Sequence, residues 1–367
     1  MTVKPETQDT ITVRPVETIE EYRACQDVQR RTWGITEEGY VVPIATMISV
    51  QHAGGLVLGA FLETSATARL PHPASRIPRP SPPDTRHPIP DTRLVGFAFG
   101  YLGRVHGEWC LYSQLAGVDP DFQDRGIGGM LKRAQREWAR QQGLALVVWS
   151  FDPMQAGNAN LNLHRLGAIS RTYQVNYFGV RSDALNAGLD TDRLLVEWQV
   201  AETPRRWQGE NQQPTDLIRI QTRADGLPLP ATPEATIDFA GVQSEAVQQR
   251  APSSSLSPFP EREGGRGDRL SEPLTNPDPG SSTTNEGGRS SPPLRLDIPP
   301  HFAALKQRDA ALAHEWQLAV RGAFQQALAA GYLAMDFVRG QDRAYYVLRR
   351  PDEAANAADP ARGAQQT

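Results

Sequence analysis

A chain of 367 residues, 39% hydrophobic and 22% charged with a formal net charge of −4, has the make-up of a folded protein carrying extra polar sequence, one large domain and a smaller module. It holds no run near the roughly 18 apolar residues of a membrane helix and no apolar signal core in its first ten residues, so no membrane partner and a cytoplasmic location are expected. Two cysteines, Cys25 and Cys110, exclude a disulfide framework and a zinc site and are expected to be buried, while 38 basic residues, nearly all arginine, are balanced by 42 acids and leave no footprint for nucleic acid.

In chain order, alternation at residues 11–15 predicts a strand, and Thr18 with Glu21 makes a capping box that opens a helix running to Trp33. A second helix starts at Pro43 and ends by Gly54-Gly55. Strands are predicted at 56–62, 94–104 and 108–118. A helix over 126–142 places Ile127, Met130, Leu131, Ala134 and Trp138 on one face. The apolar run 144–150 suits an interior strand. A helix over 158–166 and strands at 169–179 and 194–200 complete the unit. The order β, α, α, β, β, β, α, β, α, β, β reads as a mixed α/β sheet with antiparallel hairpins first and a βαβ crossover in the middle.

Two stretches break the pattern. Residues 64–92 include eight prolines, and residues 249–293 contain few apolar side chains, so both are read as disordered. The expected organisation is a domain over 10–200 with the 64–92 insertion, a connecting segment over 201–248, the 249–293 linker, a small α/β extension over 294–350 packed on the first domain, and a disordered tail over 351–367. Within the extension a strand, an alanine-rich helix near 310–330 and two further strands are predicted, with a core of Trp316, Phe324, Tyr332, Phe337, Tyr345 and Tyr346.

The chemistry is concentrated between Leu115 and Leu131, where a predicted strand runs through a tight turn into a glycine-rich helix start. The first amides of a helix lack intrahelical partners and carry partial positive charge, so such a start cradles a phosphate or pyrophosphate. Gly126 and Gly128 let backbone approach the anion, and Arg125 can add a charged donor. A Walker loop is excluded because Gly128 is followed by Gly129-Met130, and the dinucleotide fingerprint lacks its third glycine at Leu131.

Gln123-Asp-Arg-Gly126-Ile-Gly128, led in by Val118-Asp-Pro120, fits the Q/R-x-x-G-x-G/A element of the GNAT acyltransferases. The segment and the element order around it resemble that superfamily over residues 10–200, most of all a bacterial subgroup of predicted acetyltransferases with a C-terminal extension. The resemblance implies a GNAT-like fold and an acyl-CoA co-substrate, acetyl-CoA or another, with no metal. The pyrophosphate would lie on Gln123, Asp124, Arg125, Gly126, Ile127, Gly128 and Gly129. The pantetheine arm would run along Ala116, Gly117 and Val118, with Gly117 as the bulge that opens the slot and an amide near Val118 polarising the acyl carbonyl. An amine of a small molecule or amino acid would attack directly in a ternary complex.

The sequence departs from the family at the acid and base. Tyr112 stands where relatives place a glutamate, and Leu163 where they place the tyrosine that protonates the thiolate. Replacements in reach are Tyr112, Ser113, His106, Glu108, Tyr173 and Tyr177, with Tyr112 and Tyr173 preferred as catalytic residues. Asn158, Asn160, Asn162, His164 and Arg165 form a polar helix start, with Asn158 either its cap or a CoA contact, and Trp33, Tyr40 and Trp109 are candidate acceptor-pocket aromatics. Loss of both usual groups leaves a second reading, a non-catalytic acyl-CoA-binding protein of the same fold. Whether the chain forms a homodimer stays open.

Overall fold

The capping box forms as the sequence dictates. In the computed structural model, which describes residues 10–63, 92–179, 188–201, 213–232 and 291–351, strand β1 (Thr10–Pro15) leads into helix α1 (Ile19–Trp33). The Thr18 hydroxyl accepts from the Glu21 amide, the Glu21 carboxylate accepts from the Thr18 amide, and Gly34 closes the helix in the left-handed region. Helix α2 (Ile44–His52), strands β2 (Leu56–Glu63), β3 (Thr92–Val105) and β4 (Glu108–Val118), helix α3 (Ile127–Gln141), strand β5 (Leu146–Phe151), helix α4 (Ala156–Ala159) and strands β6 (Ile169–Gln174) and β7 (Arg193–Gln199) follow in the predicted order. The predicted disordered stretches lie, apart from Thr92 and residues 291–293, outside the described residues. So does the tail beyond residue 351. Contacts divide the chain into 1–236 with 292–367, and 237–291; all described residues except Ser291 belong to the first unit.

The first seven strands are ordered β1-β2-β3-β4-β5-β7-β6. Neighbours are antiparallel except β4 and β5, which run parallel and are joined by α3. Phe97 and Phe99 of β3 pack with Tyr22, Cys25 and Met47 of α1 and α2. Gly96, on the opposite face, approaches Ile127 and Leu131 of α3. Helices therefore cover both faces of this half of the sheet, and Cys25 and Cys110 are buried in it.

The C-terminal segments continue the same sheet. Strands β8 (Thr215–Thr222), β9 (Pro228–Ala231) and β10 (Leu294–Ile298), helices α5 (Phe302–Arg308) and α6 (Ala310–Ala329), and strands β11 (Leu333–Arg339) and β12 (Ala344–Arg349) extend it as β6-β11-β12-β10-β8-β9, to twelve strands among the described residues. The β6–β11 ladder is one residue pair, Ser170 with Ala334, so side chains make the junction. Tyr173 stacks on Phe324, the Tyr346 hydroxyl donates to the Pro153 carbonyl at 2.6 Å, and Arg321 bridges Asp190 and Asp192 at 2.7 and 2.8 Å.

Four elements differ from the sequence reading. The helix expected over 158–166 is α4 followed by a π-helical turn, Asn160–Arg165. Asn158 is exposed inside α4, past the N-cap position at Gln155, and so does not cap it; the turn before the helix is held by Asp152, which accepts from the Met154 amide at 2.9 Å. The strand expected to reach 179 ends at Gln174, where Asn176 turns the chain at φ 47°. Strand β9, inside the expected connecting segment, carries Pro228 and Pro230, which an edge strand accommodates without losing ladder bonds. Helix α5 spans only seven residues, too few for a periodic signal. Among the described residues no helix is long and apolar enough to cross a membrane.

Candidate active site

At the end of β4 the chain enters the predicted phosphate turn. The Asp119 carboxylate accepts from the Asp121 amide and pairs with Arg31 at 2.9 Å and Arg93 at 3.0 Å, anchoring the turn to α1 and β3. Asp124 and Gly126 both take left-handed backbone, φ 60° and 80°, bringing the chain round to α3. The unpartnered amides of the first turn of α3 follow at once. A side chain at Gly128 would meet only Leu161 at 3.8 Å and Val118 at 4.0 Å, so that glycine leaves the turn open without being forced by the fold. Ile127 is buried and anchors the helix. Gln123 and Thr32 both donate to the Val118 carbonyl, at 3.2 and 3.1 Å. The Arg125 guanidinium lies over the Phe122 ring and donates to the Asp121 carbonyl.

A slot opens beside this turn. Strands β4 and β5 pair only from Cys110 to Tyr112 against Leu146 to Val148, and from Ser113 to Val118 β4 is paired with β3 alone. The parting coincides with a bulge, in which Ser113 and Gln114 stand opposite Gly100. A side chain at Gly100 would come within 2.9 Å of the Tyr112 carbonyl, so the bulge requires glycine there. Gly117, expected to be the bulge, stays in register with Phe97; it lacks a side chain because α1 presses on it, Trp33 and Thr32 lying 3.1 and 3.2 Å from where a Cβ would be.

Behind the bulge lies Lys132, buried in α3. Its Nζ donates to the Ser113 hydroxyl at 2.9 Å and rests 3.9 Å from the centre of the Trp149 ring, and burial pulls the amine down to about 7. Gln135 bonds the same hydroxyl.

On the face opposite α3, a cavity of about 340 Å³ lies where the strands part, lined by Tyr101, Tyr112, Ser150, Tyr177, Arg104 and Arg193 among others. Tyr101 and Tyr112 stack at 5.4 Å, and the Tyr112 and Tyr177 hydroxyls are 3.2 Å apart. Burial raises the Tyr112 hydroxyl well above the ordinary phenol range.

The other candidates lie elsewhere. Tyr173 does not line the cavity; its hydroxyl donates to Asp192 at 2.7 Å and its ring faces α6, an arrangement that joins elements. His106 faces the buried Glu197 at 3.1 Å, and Glu108 is exposed on the β3–β4 hairpin. Of the expected acceptor aromatics, Trp33 packs edge-on against Phe97 and Trp109 stacks with Arg104, and neither these nor Tyr40 line the cavity. Leu163 is buried, Asn162 is buried, and His164 faces Asp336 of β11 at 3.0 Å. The sequence reading passed over Tyr101, Arg104 and Arg193. The readable signal was Gly100 inside an apolar strand, which marks a bulge.

Residues 72–168 match the model of the acetyltransferase (GNAT) family. That stretch of the chain is similar to the GNAT acetyltransferases. The matched stretch contains the turn, the slot and most of the cavity-forming strands. Its structure is similar to the ribosomal-protein-S18-alanine N-acetyltransferase from Escherichia coli, with 17% identity, a TM-score of 0.35 and 56% of this chain against 99% of that one. It is also similar to yncA from Salmonella typhimurium with its cofactor acetyl-CoA (16%, 0.36, 54% and 99%). A third similar structure is Arabidopsis thaliana NAA60 in complex with a bisubstrate analogue (15%, 0.36, 52% and 98%). No curated protein matches the chain.

Proposed function

We propose that the protein is an acyl-CoA-dependent N-acyltransferase that moves an acetyl or succinyl group to the amine of a small molecule or amino acid within a ternary complex. The observation that carries this is the parting of β4 and β5 at Tyr112, with the glycine turn at one end of the gap and an aromatic cavity at the other. The CoA pyrophosphate takes the amides of 123–129, and the pantetheine arm lies along 116–118 as an added strand. Val118 and Tyr112 are six residues apart, about 20 Å at the rise of a strand. The acyl group therefore belongs at the Tyr112 end, and the backbone at the bulge, Ser113–Gln114, replaces Val118 as the proposed carbonyl donor.

The acceptor nitrogen attacks the thioester carbon, the C–S bond breaks, and the thiolate takes a proton from the Tyr112 hydroxyl. That hydroxyl is recharged from the proton the nitrogen loses, through Tyr177 or water. Raised by burial, Tyr112 stays protonated and serves as the acid.

Incubating the full chain with acetyl-CoA or succinyl-CoA and an amine panel, while following CoA release and product mass, tests the reading. Formation of an acyl amine supports it. CoA binding with no product from any acceptor would favour the non-catalytic acyl-CoA-binding alternative.

A further inference from the structure

We propose that the cavity selects an amine bearing a carboxylate on an aromatic body, an aromatic α-amino acid in chemical class. The inference rests on the acyl-transfer reading and narrows its acceptor.

The lining supplies both halves of such a ligand. The Tyr101–Tyr112 stack and Leu195 give a flat apolar wall, and Tyr177 stands 42% exposed at its edge. Two arginines, Arg104 and Arg193, are among the cavity's lining residues, and among the described residues no aspartate or glutamate lines it. Arg104 is fixed in place, its Nε and Nη2 both donating to the Gly107 carbonyl at 3.1 and 2.6 Å. Arg193 is held through the Asp192 carbonyl at 2.7 Å and lies against the Phe178 ring. Asp152 interacts electrostatically with Arg193, and two further carboxylates are occupied. Glu197 is buried between His106 and Arg171, and Asp192 is taken by Tyr173 and Arg321. A positive, aromatic cavity welcomes a carboxylate and rejects a polyamine. At about 340 Å³ it is near the small end of ligand sites, which favours a single amino acid over a peptide. With the carboxylate on Arg104 and the ring on the tyrosine stack, the amino group is left to face Tyr112 and Ser150, at the mouth of the slot.

The test compares L-phenylalanine, phenethylamine and spermidine as acceptors of the full chain, by CoA release and product mass, together with calorimetric binding of L-phenylalanine to the CoA-loaded protein. The expected result is a kcat/KM for phenylalanine at least tenfold above phenethylamine, with spermidine slower still. Arg104→Gln should raise the phenylalanine KM about tenfold and bring the phenylalanine-to-phenethylamine ratio towards one. Equal use of phenethylamine, or an Arg104→Gln effect of the same size on both amines, would overturn the inference. Arg104-dependent binding of phenylalanine without turnover would uphold the recognition and overturn acyl transfer instead.

Discussion

Tyr112 and Tyr173 carry the same hydroxyl into different surroundings, and the surroundings decide what each can do. Tyr112 faces a cavity at the parting of two strands, whereas Tyr173 is committed to Asp192. Tyr112→Phe should therefore retain CoA binding and slow the chemical step about 100-fold, the usual range for a positioned acid. Single-turnover rates check this. Tyr173→Phe should leave that rate alone and cost about 1 kcal/mol of stability, the net worth of one buried hydrogen bond, measured by urea unfolding. Equal slowing by both would return Tyr173 to the chemistry. Lys132 gives a pH prediction. Unfolded, its amine holds a proton up to about pH 10.4, whereas in the fold burial has lowered it to about 7. Between those values the unfolded state binds more protons, so this group makes the protein more stable as pH rises from 7, and below 7 the full charging penalty persists. Lys132→Met removes that contribution, and Ser113 keeps Gln135 as a partner. The variant should flatten the rise in stability between pH 7 and 9.5 by up to about 3 kcal/mol relative to wild type. An unchanged slope would mean that Lys132 is charged in the fold at neutral pH.

The turn between β4 and α3 was legible because its residues are contiguous. Gly126 needs glycine for its left-handed backbone, and Gly128 needs it only to keep the approach open. Gly128→Val should fold normally and weaken CoA binding greatly, read by calorimetry beside circular dichroism, while Arg125→Ala should lose less because its guanidinium is turned onto Phe122. Retained CoA affinity in folded Gly128→Val would remove CoA from this turn. The same contiguity made the capping box at Thr18, the amphipathic α3 and the apolar β5 readable in order. What escaped was set by residues far apart in sequence. The cavity depends on a bulge that offsets β4 against β3 by one residue, and that offset brings Tyr112 over Tyr101. The π-helical turn at Asn160–Arg165 escaped for a related reason, since its partner Asp336 comes from β11.

At the scale of the molecule, the C-terminal strands do more than lengthen the sheet. The wall of the cavity that carries Tyr177 and Arg193 is tied to residues 190–192. The Tyr177 amide donates to the Thr191 carbonyl, and the Asn176 amide donates to the Asp192 carboxylate. Residues 190–192 are in turn held by α6, through Arg321 on both carboxylates and Gln317 on the Asp190 carbonyl at 2.7 Å. The glycine turn is anchored instead by Arg31 and Arg93 to Asp119, with no contribution from α6. Loosening α6 should therefore separate the two substrates. Removing the Arg321 charge leaves Asp192, 1% exposed, without its cation, a loss of about 3 to 5 kcal/mol for a buried pair. At a temperature where it remains folded, Arg321→Gln should raise the acceptor KM several-fold and leave the CoA dissociation constant within about twofold of wild type. Matched losses for acceptor and CoA would show that α6 supports the domain as a whole, and unchanged values for both would show that residues 190–192 hold the cavity wall without it.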